Sequence, residues 1–487
     1  MGRILDLVRA ADPSATALLA PGRRAVTYRE LVETVERLAT GLADAGVAGR
    51  IALALPNGPE LAALLLAATE CGSAAPLNPK LLPQETGVAA GQLGVGAMVV
   101  PAGASFAAGG VRVFEVAGSW PEIALLETAP GPAARAALSG DEALVLQTSG
   151  TTGTPKTVPL SHGQLIASAR NIAASLAVTP ADRTLALMPL FHIHGIVASL
   201  LATLASGGSV ACPPPFDAFR VSEWVAELSP TWYSAVPTVH QAILQRRAVG
   251  PSHRLRFVRS SSAAMPDSVR EGVEAMLGVP LVEAYGMTEA AHQIACNPLP
   301  PGIRKPGSVG RPTGVEVRVV DESGDAQPGG RGEVWLRGPT IIDRYDADDA
   351  VNAASFTEGW LRTGDQGYFD PDGYLFLTGR LKELINRGGE KISPFEVEEA
   401  LLKCPGVAEA VAFALPHASL GEEVAAAVVA APGASVDEAT VRAFARATLS
   451  AFKVPRRVVV VDAIPLGPTG KLQRSAMAAL LGLGGNG

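Results

Sequence analysis

Near its N-terminus the chain alternates helix, strand and helix in close succession, and that alternation limits the fold more than any other feature. Thr27 caps YRELVETVERLATGLADAG, whose apolar residues recur at helical spacing. A short apolar strand follows over 51–55 and a second helix over 59–71. Further strands are expected over 95–101, 111–116 and 143–146, a helix over 161–176 and a strand over 183–188. Units of this kind bury their strands between helices, so the expected class is α/β with doubly wound, mostly parallel sheets. The Ala- and Gly-rich stretch 117–140 carries no readable pattern.

The strand at 143–146 runs into QTSGTTGTPKTV, residues 147–158, a segment with little side-chain bulk and one charge, Lys156. Such a backbone can wrap an anion, offering N–H groups and hydroxyls to phosphate oxygens while the lysine supplies the opposite charge. It is not a Walker loop: Gly150 and Gly153 stand too close together, and Pro155 occupies the place of the last glycine. Thr148, Ser149, Gly150, Thr151, Thr152, Gly153 and Lys156 are therefore candidate phosphate ligands.

Bulk properties narrow the class. A chain of 487 residues has room for two or three domains, and a hydrophobic fraction of 48% excludes a largely disordered protein. The net charge of −7 gives no reason to expect nucleic acid or an anionic membrane as partner. Cys71, Cys212, Cys296 and Cys404 are scattered, without the close pairs of a zinc or redox centre. The N-terminus is interrupted by Asp6, Arg9, Asp12 and Pro13, no apolar run is long enough to span a bilayer, and the chain ends in GGNG. A cytoplasmic protein is expected, as monomer or homodimer.

Several later strand ends carry chemistry. PLFHIHG, 189–195, places His192 and His194 where open α/β sheets bind ligands. FVRSSSAAM, 257–265, is small enough for a flat ring to approach its backbone. In VEAYGMTEAAH, 282–292, Tyr285 can stack on a purine, Thr288 can bind phosphate, and Glu289 offers a hard oxygen to Mg²⁺ that the nucleotide phosphates must complete. Asp365, in the Gly-bounded turn expected for GWLRTGD, can accept both hydroxyls of a ribose. The final LGPTGKLQR presents Lys471 on a stiff loop.

TSGTTGTPK, YGMTE, WLRTGD, the YLFLTGRLKELINRGGEKI junction and PTGK, in that order, resemble the adenylate-forming superfamily of acyl-CoA synthetases, luciferases and peptide-synthetase adenylation domains. Thr157 stands where that family more often has glycine. The resemblance implies an N-terminal adenylation domain over 1–380, with a small β subdomain over about 305–378, and a mobile α+β C-terminal domain over 381–487. It places Ser262, Ala263, Glu283, Ala284, Tyr285, Gly286, Thr288, Asp365 and Arg380 on the nucleotide. It makes Lys471 the catalytic cation, with His192 and Thr288 beside the reaction. Lys382 becomes the pivot, and Gly388 and Gly389 the approach to coenzyme A, although Asn386 and Gly388 stand where similar plant ligases have lysine.

ATP, Mg²⁺ and coenzyme A are the expected cofactor and co-substrates. A carboxylate would attack the α-phosphorus of ATP, pyrophosphate would leave, and the acyl group would pass to a thiol. With no carrier-protein motif in the sequence, that thiol is expected to be coenzyme A. PLFHIHG, WYSAVPTVHQAIL and EAYGMTEAAHQIACNPLPPG resemble the oxalate–CoA ligase branch. A second carboxylate in the acyl pocket needs a cation or several donors, which His192, His194, Arg259, Ser260, Ser262 and His292 can supply. A fatty or 4-coumarate-type acid would instead need an apolar tunnel, which Ile193, Ile196, Val197 and Leu200 can line. A non-catalytic nucleotide sensor is the third reading.

Overall fold

The computed structural model describes residues 2–483 apart from 105–109, 132–137, 139, 149–155, 248, 251, 322, 327–328 and 466–471. The chain divides into two compact units, Met1–Val317 with Leu336–Arg362, and Arg318–Trp335 with Thr363–Gly487.

Two sheets build the first unit. One has seven strands among the described residues, in the order Ala124–Ala129, Arg112–Ala117, Ala97–Pro101, Arg50–Leu53, Ser73–Pro76, Glu142–Thr148, Lys156–Ser161. Its inner strands are parallel and its two outermost pairings antiparallel. The other has nine: Arg311–Pro312, His292–Cys296, Leu281–Met287, Phe257–Ser260, Trp232–Ala235, Arg183–Leu185, Ser209–Ala211, Thr16–Leu19, Val26–Thr27. The parallel run from Thr16–Leu19 to Leu281–Met287 turns antiparallel at both ends. This is the mostly parallel α/β architecture expected.

The helices follow from local signals. Thr27 closes a capping box with Glu30 over Tyr28–Asp44, and Ser161 does the same with Gln164 over His162–Ser175. Pro59–Cys71 is apolar on every side, with Leu61 through Thr69 all buried, as befits a helix enclosed in the core rather than facing water. One continuous core joins it to side chains of both sheets, among them Leu53 and Leu144 of the first and Leu18, Val210 and Trp232 of the second.

In the second unit a sheet of Glu390–Ile392, Ile385–Arg387, Gly421–Ala430 and Val407–His417 takes Arg457–Val460 as a parallel addition. Pro394–Leu402 and Glu438–Thr448 share its core through Val397, Leu401, Val441 and Ala445.

Three expectations need correction. The strand expected over 183–188 ends at Leu185: Ala186 N–H makes the last bond toward the neighbouring strand, to Ala211 O, and Leu187 N–H turns back to Leu185 O. The featureless stretch 117–140 holds the edge strand Ala124–Ala129, whose residues are exposed or half-buried, so no apolar alternation marks it. Asp365 lies within the strand Trp360–Phe369, not in a turn; Gly364, at φ +71°, takes the unusual backbone angle beside a bulge at Gln366 and Gly367.

Candidate active site

The phosphate-loop stems are the antiparallel strands Glu142–Thr148 and Lys156–Ser161, with Thr148 opposite Lys156. Ser149, Gly150, Thr151, Thr152 and Gly153 lie outside the described residues. Lys156 Nζ sits 4.2 Å from the centroid of the Tyr345 ring and 3.2 Å from Ser355 Oγ. The Tyr345 hydroxyl donates to Glu289 Oε1 at 2.9 Å. One aromatic ring thus gathers the loop cation and the candidate Mg²⁺ ligand, which are far apart in sequence. Thr157 pairs with Gln147 and bridges to Asp346, its side chain buried.

Among the described residues no three His, Cys, Asp or Glu side chains cluster as a metal site. Glu289 is a buried, hard oxygen donor. That suits Mg²⁺ arriving on a nucleotide, which brings most of its ligands as phosphate and water.

The residues expected on the acyl side converge near the ends of neighbouring strands. Ser234 and Arg259 are direct neighbours across Trp232–Ala235 and Phe257–Ser260. His194 opens a π-helix, His194–Leu201, entered where Gly195 lies so close to Pro189 that a Cβ would stand 2.3 Å from its carbonyl oxygen; π-turns often occur at working sites. His292 stacks on His194 with ring centroids 4.7 Å apart. It reaches that position at φ +96°, directly after Ala291 at +47°, a backbone strain typical of positioned side chains. Gly286 makes room, since a Cβ there would meet His292 O at 2.1 Å.

Arg259 lies fully buried beneath the pair. Its Nη1 donates to Ser234 Oγ at 2.9 Å and to His292 Nε2 at 3.2 Å, and its Nη2 to Gln293 Oε1 at 2.9 Å. Ser234 Oγ is 2.7 Å from His194 Nε2, and His194 Nδ1 is 3.1 Å from Ser262 Oγ. Burial, reinforced by the Arg259 charge and neighbouring imidazoles, holds His194 well below its ordinary pKa; burial, then His194 and Arg259, does the same for His292. Both rings are neutral at pH 7. His192 is half-buried, tilted against Phe191 at 4.5 Å.

The residues expected on the nucleotide side are graded in exposure. Ser262, at φ +74°, and Ala263 are exposed, Gly286 and Thr288 half-buried, and Glu283, Ala284 and Tyr285 buried. Burial pushes the Glu283 carboxyl up to about 7, against the Gly307 N–H that donates to it at 3.4 Å.

In the second unit Asp365 and Arg380 face each other across an antiparallel pair and form an ion pair at 3.1 Å. Lys382 follows in the turn Leu381–Glu383. Gly388 and Gly389, at φ +61° and +96°, form a tight hairpin turn that needs two positive φ angles, with Asn386 Oδ1 accepting from Gly389 N–H at 3.2 Å. Lys471 lies outside the described residues. Arg474, just beyond it, is buried and paired with Glu383 and Glu398.

Sequence reasoning overlooked Ser234, Gln293 and Tyr345. Ser234 carries a signal in hindsight: it is the one hydroxyl near the end of the strand WYSA besides Tyr233, and it stands in register with Arg259.

A mostly parallel α/β unit, the small-residue segment in its sequence and a second α/β unit fit the class of adenylate-forming enzymes. The chain matches the AMP-binding enzyme family over residues 7–346 and the AMP-binding enzyme C-terminal domain over 396–471, and it belongs to that family, within its CoA-ligase branch. It is 41% identical to a probable CoA ligase of Humulus lupulus, covering 95% of this chain and 93% of that protein. It is 40% identical to an oxalate–CoA ligase of Arabidopsis thaliana, covering 98% and 97%. The ATP-bound MatB of Rhodopseudomonas palustris superimposes with a TM-score of 0.85 at 29% identity, over 97% of each chain. The protein is an AMP-forming CoA ligase that uses ATP and coenzyme A. Among the described residues no helix is long and apolar enough to cross a membrane.

Proposed function

We propose that this ligase is a cytoplasmic enzyme that activates a small dicarboxylate, oxalate foremost. The observation that carries the reading is the acyl-side lining: Arg259, His194, His292 and Ser262 present a buried cation and a set of hydrogen-bond donors, which a second carboxylate needs if it is to leave water. Kinship with an oxalate–CoA ligase supports it. The side chains that an acyl tunnel would need, Ile193, Ile196, Val197 and Leu200, are packed into the central core, which disfavours a fatty acid.

In this reading the loop from Thr148 to Gly153 and Lys156 hold the β- and γ-phosphates. Ser262, Ala263, Glu283, Ala284, Tyr285 and Gly286 border the adenine, and Asp365 with Arg380 takes the ribose. Glu289 holds Mg²⁺, which offsets phosphate charge when bound. Thr288 binds phosphate, and His192 borders the acyl group. Lys471 bridges the attacking carboxylate and the α-phosphate, where a fixed cation stabilises charge that grows in the transition state. The domain from 381 onward then turns about Lys382, withdrawing Lys471 and presenting Gly388 and Gly389 to the pantetheine arm.

The test is oxalate-dependent exchange of labelled pyrophosphate into ATP. The wild type is expected to exchange, and Lys471→Ala to lose about 100-fold or more. Equal exchange by both proteins would remove Lys471 from the mechanism, and no exchange by the wild type with any acid would favour a nucleotide sensor.

A further inference from the structure

Among the described residues, Arg259 is a cation with no carboxylate to neutralise it. Its hydrogen bonds go to Ser234, His292 and Gln293, with the Cys296 thiol as a further hydrogen-bonding neighbour. The Cys296 thiol beside it is itself raised in pKa by burial, and that thiol donates to Asn297 O. Gln293 is held by Ser175 and Thr313 at 2.9 and 3.1 Å, so its oxygen stays turned to the guanidinium. An isolated buried charge is costly, and here every group around it is neutral.

Arginine has donors only, and this fixes the direction of its own bonds and biases those beyond them. His292 must accept at Nε2, so its proton sits on Nδ1. Ser234 Oγ accepts from Arg259, and among the described residues its other partner is His194 Nε2, the one acceptor on which its own hydroxyl hydrogen can be spent. His194 then carries its own proton on Nδ1 and donates to Ser262 Oγ, which leaves the Ser262 hydroxyl hydrogen for a ligand. The chain begins at a fully buried guanidinium and ends at an exposed hydroxyl.

We infer that Arg259 and Ser234 are positioning residues, which set His194 and His292 as neutral Nδ1–H tautomers and turn the Ser262 hydroxyl into a polarised donor for an anionic oxygen of the acid substrate. Aligned bonds strengthen one another at low dielectric, so the buried charge acts at Ser262 without touching the substrate. This rests on the acid-activating reading of the site, but the tautomers can be read without turnover. Among the described residues the groups that face His194 are Arg259, His192, His240 and His292, none of them an acid, so none of them favours its protonation.

The experiment is ¹⁵N NMR of histidine-labelled protein, with seven histidines to assign, combined with steady-state kinetics on whichever acid the wild type uses best. The wild type is expected to show His194 and His292 as neutral Nδ1–H forms at pH 7 and above. Ser234→Ala is expected to free His194 into mixed tautomers and raise KM for the acid about 10-fold, with KM for ATP unchanged. Ser234→Thr, which keeps the hydroxyl, retains the wild-type tautomer. In Arg259→Gln both imidazoles titrate closer to pH 6.5. His194 with its proton on Nε2, or a Ser234→Ala protein with unaltered tautomer and KM, overturns the relay. A wild type silent on every acid defeats the functional reading, while the tautomers still decide the relay.

Discussion

Two buried arginines in the same unit are treated in opposite ways. Arg50 is 7% exposed and saturated with acid: its Nε and Nη2 bond the two oxygens of Glu142 at 2.8 Å each, and its Nη1 bonds Asp346 at 2.8 Å and Leu93 O at 3.0 Å. Arg259 is 0% exposed and meets only neutral groups. Burial lowers the pKa of both, but the bonds and charges of Glu142 and Asp346 reverse the balance for Arg50, which ends raised, whereas Arg259 ends lowered. The first arginine ties two strands and a loop together. The second keeps its charge available, at a cost in stability that a purely structural residue has no reason to carry.

That contrast breaks most visibly in stability. Arg50→Met leaves Glu142 buried with an uncompensated charge, and unfolding in urea is expected to show a loss of about 3–5 kcal/mol, with KM for the acid unchanged in the protein that folds. Arg259→Met is expected to do the reverse. It removes a charge that had no counter-ion, so it costs less stability than Arg50→Met, yet kcat/KM for the acid falls about 100-fold, the size typical of a lost electrostatic donor. If the two variants exchanged these signatures, the distinction between them would be wrong.

A smaller effect sharpens the comparison through pH. The folded pKa values of His194 and His292 lie below the unfolded value of about 6.5. The unfolded chain therefore binds more protons as the pH falls below about 6.5. Stability is complete above that pH and declines beneath it, by up to about 1.4 kcal/mol per pH unit for each ring. Urea midpoints at pH 7.5 and 5.5 check this, and a His292→Gln protein should lose one ring's share of the slope.

A last test fills the space beneath His292. Gly286→Ala puts a Cβ against His292 O, and overpacking of this kind costs about 1–3 kcal/mol. Its mark is a shift of the His292 ring resonances together with a raised KM for the acid. Unmoved resonances would mean that Gly286 serves some other need.

What the sequence made legible follows the range of the forces involved. Helix limits were readable because caps are local: Thr27 with Glu30 and Ser161 with Gln164 lie three residues apart. The alternation of strands and helices likewise foretold parallel sheets. Ala124–Ala129 was hidden because an edge strand with no buried face leaves no periodic trace. Asp365 was misjudged because the glycines around it read as a turn, while its pairing with Arg380 comes from a strand further along. The site was legible as motifs and not as a network. His192, His194, Ser262, Glu289 and His292 stand in recognisable strings, but Ser234 and Tyr345 enter only through the register of neighbouring strands and the fold of a distant loop.

The central claim is that the acyl pocket is built for a second negative charge. Its most direct measurement is the ratio of kcat/KM for oxalate to that for octanoate, taken from pyrophosphate release with Mg·ATP and coenzyme A. The account predicts a strong preference for oxalate that collapses in Arg259→Met. A preference for octanoate, or a ratio indifferent to Arg259, would contradict it.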